Sequence, residues 1–174
     1  MGLLASITAW AAALPGPVAT ALVASIPSVE LSVALPLGVL QFGLPLWQAY
    51  VSAVVGSFLP VVIVLTLADP VTQWLTARSR IARRLFDWLF TQTRVKFGVK
   101  YQRYGELALL LFTALPLPIP FSGAWSGSLA AWIFGIPPHR AIPLLGLGIM
   151  IAGGIMVALL VSGSSLLSLF LPQP

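Results

Sequence analysis

The chain of 174 residues is 59% hydrophobic and 7% charged, with no cysteine and a formal net charge of +5, and its mean hydropathy is +1.01. A core of this size cannot hide so much apolar surface, which excludes a soluble globular fold and predicts an all-α integral membrane protein. Without cysteine there are no disulfides, no thiolate chemistry and no soft-metal site.

Residues 1–29 carry no charge, but Pro15, Pro17 and Pro27 interrupt them, so they do not read as one straight helix. No Lys or Arg precedes the first apolar run, and the pattern of a cleaved signal peptide is therefore not expected. From Leu46 to Leu67 the chain is uncharged and long enough to cross the roughly 30 Å of hydrocarbon. Asp69 followed by Pro70 then reads as an N-cap with proline at the first helical position, which predicts a new helix starting there.

Eight of the nine basic residues lie between 78 and 103, and the positive-inside rule makes the connector 69–104 cytoplasmic. Within it Trp74, Ile81, Leu85, Trp88 and Val95 recur at helical spacing opposite an arginine-rich face. That pattern predicts an amphipathic helix at the headgroup level, either a solvated connector or one in which Arg80, Arg83 and Arg84 meet anionic lipid. A nucleic-acid role is excluded, since the basic stretch is tethered between membrane segments and holds no recognition module. Leu107 to Phe134 is again uncharged but broken by Pro116, Pro118 and Pro120, Ala141 to Gly163 is a second clean span, and 164–174 is a tail.

Two strings recur along the chain. FGLPLWQAY at 42–50 returns as FGIPPHRAI at 134–142, offset by 92 residues, and TALVASIP at 20–27 returns as TALPLPIP at 113–120, offset by 93. Internal duplication is a recurrent construction of small membrane transporters. The mismatch of Gln48 with Arg140 adds orientation: if the copies are inverted, only the start of the second span is cytoplasmic, and only that one carries charge. For this to hold, 105–136 must enter and leave on one side. The expected fold is thus two inverted repeats, 12–68 and 105–163, each a re-entrant hairpin (about 12–44 and about 105–136) followed by a transmembrane helix (46–67 and 141–163). The basic helix joins them. Pro27, Pro36, Gly38, Pro116, Pro118, Pro120, Gly123 and Gly127 would shape the hairpins, with the Gly123 and Gly127 pair also suited to close helix packing.

Glu30 is the only acidic residue in the first 68 positions, and the repeat places it near the break of the first hairpin. A charge at membrane depth costs at least about 2.5 kcal/mol, so the residue is either neutralised, paired or water-lined, or else sits at the outer headgroups with no role. A carboxyl that exchanges between its two forms is a proton carrier. Arg140 is the cation that could pair with an acid or grip a phosphate, or simply orient its span. Around Trp125, which either stacks on a cation or packs, Ser122 and Ser126 supply hydroxyls, and the returning half-helix would aim its N-terminal amides at the midplane. His139 is the only histidine, so a metal site lacks partners. No catalytic constellation, cofactor motif or phosphate-binding glycine loop is present, which disfavours an enzyme.

ELSVALPLGVLQFGLP at 30–45, the span ending in LADP, the basic segment running to KYQRYGELALL and PLPIPFSGAWSGSLAAWIFG together resemble the small multidrug export family. Pro116, Pro118, Gly123, Trp125 and Gly127 match its most specific stretch. The resemblance implies an inner-membrane, multi-pass protein related to the DedA and SNARE-associated (VTT) superfamily, with hairpin-plus-span units. Ile119 to Ser122 look longer than the family's usual link, and Ser32 stands where an arginine is expected, which leaves Arg140 to partner Glu30 across the cavity. The leading expectation is a proton-coupled transporter of a small or amphipathic substrate. A DedA-like translocase of anionic lipid or polyprenyl phosphate is the alternative, and a non-transporting scaffold or assembly factor the third. A homodimer would shield the hairpins from lipid.

Overall fold

The computed structural model describes residues 14–27, 29–81, 83–84, 86–88, 105, 107–111, 113–115 and 123–170, with side chains at most of these as far as Gly163. Pro116, Pro118, Pro120 and Ser122, the 119–122 link, Val95 and the start of the first expected hairpin lie outside the described residues, and nothing is described of the side chain of Leu85. Every regular element among the described residues is an α-helix: α1 (Gly16–Ala24), α2 (Glu30–Leu40), α3 (Leu46–Arg78), α4 (Ala124–Ile133) and α5 (Pro138–Phe170). Residues 107–111 and 113–114 are helical too.

Proline punctuates the first half. Pro17 sits in the first turn of α1, where its missing N–H costs nothing. Pro27 cannot donate to the Val23 carbonyl, and α1 ends before it, with the Ile26 N–H reaching that carbonyl instead at 3.2 Å. The chain reverses direction between α1 and α2. α1 and α2 lie antiparallel: Gly16, at the start of α1, is against Phe42 and Leu44, and Gly38, near the end of α2, is against Thr20 and Ala49.

α3 is the central post, packing on α1, α2, α4 and α5. A side chain on Gly56 would strike the backbone of Ala21, so glycine lets α1 approach α3 at mid-length. Across the other face Tyr50 fills the space over Gly153 and Phe58 that over Gly146, while the Tyr50 hydroxyl donates to the Met150 carbonyl at 3.1 Å. As the number rises on α3 it falls on α5, so the two long helices run antiparallel.

The two halves share local details at the offsets of the repeated strings. Gly43 and Gly135 take φ of 65° and 71°, and the N–H groups of Ala49 and Ala141 donate to Pro45 and Pro137 at 3.1 and 3.0 Å. Thr20 and Thr113, both buried, donate to the carbonyls of Gly16 and Leu109, each at 2.9 Å. Gly56 rests against Ala21, and Gly148 against Thr113.

Both long helices have the length and composition to cross a membrane, and only 33% and 28% of their most apolar windows are buried. A core helix of a soluble protein would be mostly covered. Here Val51, Val55 and Leu59 on α3, and Leu147, Ile151 and Leu159 on α5, face outward, an apolar exterior suited to lipid.

The helix expected to start at Asp69 does not start there. α3 continues through Pro60 and Pro70 to Arg78, because the Asp69 carboxylate that would cap a new helix instead accepts the Trp132 indole N–H at 2.8 Å. The break comes at Ser79, whose backbone is extended at φ −129° and ψ 121°. Arg83 reaches back to the Thr76 carbonyl at 3.2 Å, satisfying one of the terminal acceptors of α3 with a cation. Helical residues resume at 80.

Candidate functional site

Glu30 opens α2 with φ of 49°, the only described non-glycine residue at positive φ. An L residue held in that region stores on the order of 1–3 kcal/mol, which the surroundings must supply. What holds it is the other half of the chain. One carboxylate oxygen accepts the backbone N–H of Ala124, the first residue of α4, so the acid caps the positive end of that helix. The cap is reciprocal in shape: a Cβ on Gly123 would lie 2.8 Å from the Glu30 carboxyl carbon and 2.9 Å from Oε2.

At the 93-residue offset the counterpart of Glu30 is Gly123 itself. Both sit at positive φ, 49° and 75°, each at the entry to the second short helix of its half. One position provides an acid and the other the absence of a side chain, and the two touch. Sequence reasoning singled out Glu30 but read Gly123 as hairpin geometry and helix packing, not as its partner; the offset, applied at position 30, was the signal that links them.

A second contact closes the same junction. The Trp125 indole N–H donates to the Ser25 carbonyl at 3.0 Å, taking up an acceptor in the α1–α2 turn. The indole thus ties α4 to the α1–α2 turn. Ser128, buried, returns its hydroxyl to the Trp125 carbonyl at 2.8 Å. Ser126 lies one residue beyond Trp125 and half-buried, and Gly127 lets Thr113 and Leu145 close on α4. On the other side of the junction Pro27 shapes the turn, and Pro36 and Gly38 lie within α2.

Arg140 is not at this junction. It stands exposed in the first turn of α5, after the C-terminal end of α4, and ten helical residues separate that end from Glu30 by about 15 Å. The partner seen at the Glu30 carboxylate is the backbone amide of Ala124. At that far end of α4, Trp132 bonds Asp69 and stands edge-on to Phe86 with ring centroids 6.1 Å apart. Arg80, Arg83 and Arg84 are exposed beyond α3, with Arg83 engaged at Thr76. Trp74, expected on the apolar stripe, carries Arg78 over its ring at 4.6 Å, and Ile81 and Trp88 are exposed. Among the described residues no His, Asp or Glu cluster could hold a metal.

A family model described as "Putative small multi-drug export protein" covers residues 30–155, which begins at Glu30 and takes in α2, α3, α4 and the first half of α5. No curated protein and no solved structure matches the chain.

Proposed function

Because the chain belongs to the small multi-drug export family, we propose that it is a proton-coupled secondary transporter of small amphipathic molecules, working without covalent chemistry and centred on Glu30. One observation carries this reading: Glu30, the only acid in the first 68 residues, caps the first turn of α4 against Gly123.

In this reading the two halves are inverted units, each a re-entrant hairpin followed by a span. Its supports are the antiparallel course of α3 and α5 and the shared caps at equal offset. Length agrees as well. α2 and α4 have 11 and 10 residues, and with their N-termini facing at Glu30 they measure end to end roughly the 30 Å of the hydrocarbon. Each then ends at an opposite face, where the long helix of its half begins. The side bearing Arg78, Arg80 and Arg84, and with it Arg140, is cytoplasmic by the positive-inside rule, in the inner membrane that DedA-like relatives would share. Exposed Arg80 and Arg84 meet lipid headgroups there.

The chemistry of a step follows from what the carboxyl can hold. Ionised, Glu30 takes the Ala124 N–H as a charge-assisted hydrogen bond and keeps the breaks joined. Protonation cancels the charge and weakens that bond, leaving the Trp125 to Ser25 contact alone to hold the junction. A proton and a cationic substrate compete for one carboxylate, which is the minimal device for exchange. Phosphate or anionic lipid is less well served, because the α4 amide already has its anion and Arg140 is at the other end of α4. The test is transport driven by a proton gradient in proteoliposomes: Glu30→Gln should abolish the dependence on the gradient, and undiminished coupled transport in that variant would remove Glu30 as carrier.

A further inference from the structure

The outward face of α2 forms a groove of about 530 Å³ lined by Ser32, Val33, Pro36, Leu37, Leu40 and Gln41, a volume within the range of small-molecule sites. Its walls are apolar and its two ends polar. Pro36, inside α2, has no N–H to return to the carbonyl four residues earlier, which is that of Ser32. The groove thus has at its inner end a backbone acceptor deprived of its helical donor beside a serine hydroxyl, and at its outer end the Gln41 amide. By helical spacing Glu30, Val33, Leu37 and Gln41 fall on one face, so the groove leads along α2 toward the acid. Hydrocarbon cannot satisfy the Ser32 carbonyl, and backbone left unpaired at membrane depth requires protein or a polar occupant.

We propose that this groove is the substrate-binding site, and that its occupant is an amphipathic ammonium: an apolar body along Val33, Pro36, Leu37 and Leu40 with its N–H donors on the Ser32 carbonyl. This rests on the transport reading above and adds the chemical class of the substrate. The Ser32 carbonyl, lacking its helical N–H, selects donors, and Glu30, two residues before Ser32 and outside the groove lining, favours a positive charge at that end.

The experiment uses dansylcadaverine, a fluorescent primary ammonium, and its N-acetylated neutral form, titrated against the full chain in detergent. Pro36→Ala restores an N–H at position 36, which occupies the Ser32 carbonyl without filling the groove. Affinity for the ammonium should fall about tenfold or more, the loss of one hydrogen bond from a charged donor, while the acetylated form binds wild type weakly and changes little. Leu37→Trp, which fills the groove, should weaken both probes. Equal binding of the two probes to wild type, or an unchanged ammonium affinity in Pro36→Ala, overturns the assignment. So does efficient disulfide formation between copies of a Leu37→Cys variant, which would mean that a second copy covers the face. The two readings fail separately. Loss of proton coupling as a property of the protein, with the Pro36→Ala effect intact, refutes the transport mechanism alone; coupled transport with no Pro36→Ala effect refutes the groove alone.

Discussion

Gly123→Ala tests the junction most directly. The backbone there, φ 75° and ψ −127°, suits glycine, and placing an L side chain in it costs on the order of 1–3 kcal/mol. The added methyl would also lie 2.8 and 2.9 Å from the Glu30 carboxyl carbon and Oε2, well inside van der Waals contact, so the carboxylate must leave the Ala124 N–H. A hydrogen bond to a charged group is worth about 1.5–3 kcal/mol, which brings the expected destabilisation to roughly 2.5–6 kcal/mol. In a Glu30→Ala background there is no carboxylate to displace and only the backbone part remains. A double-mutant cycle read by thermal or denaturant unfolding in detergent should therefore give a coupling of about 1.5–3 kcal/mol between positions 30 and 123. Additivity within about 0.5 kcal/mol would refute the contact between the two breaks.

Gly56→Ala puts a methyl into the backbone of Ala21 and should cost about 3 kcal/mol or more of stability in the same unfolding assay. Gly154→Ala, where nothing lies within 4 Å, should be neutral or stabilise by up to about 1 kcal/mol. Trp125→Phe keeps the ring but loses the bond to Ser25, so a loss of about 1 kcal/mol is expected; no change in unfolding midpoint would mean the indole N–H is not part of the junction. Single cysteines at Gln48 and Arg140, in a chain that has no native cysteine, should react with an impermeant maleimide from opposite sides of the membrane, and reaction from one side would sink the inverted arrangement.

Runs free of charge and long enough to cross a bilayer made α3 and α5 legible, since in hydrocarbon every backbone group must be paired within its own helix. Their ends were less so. Asp69 and Pro70 carry the local signal of a helix start, but the carboxylate is bound by Trp132, 63 residues away, and no local pattern records a tertiary competitor for a cap. Glu30 stood out because an isolated charge in an apolar segment needs a physical reason. Its partner did not, because a backbone amide has no letter in the sequence and a missing side chain at Gly123 reads as flexibility rather than as room. Arg140 attracted the pairing instead on charge alone, and only the course of α4 separates it from the acid. The indole of Trp125 likewise offered a ring face to sequence reasoning, while the fold uses its N–H.

The contact between Glu30 and Gly123 bears on why such a protein is one chain. A residue on an axis relating two like halves meets its own counterpart, and two carboxylates meeting there would repel each other and leave no room for either side chain. A pair of identical subunits could not mutate one without the other. On the inverted-repeat reading proposed above, joining the halves in tandem removes that restriction: one copy would keep the acid and the other would give up its side chain to seat it. The dissimilarity of the two halves at this point is a form of complementarity, open to a fused duplicate and closed to a symmetric dimer.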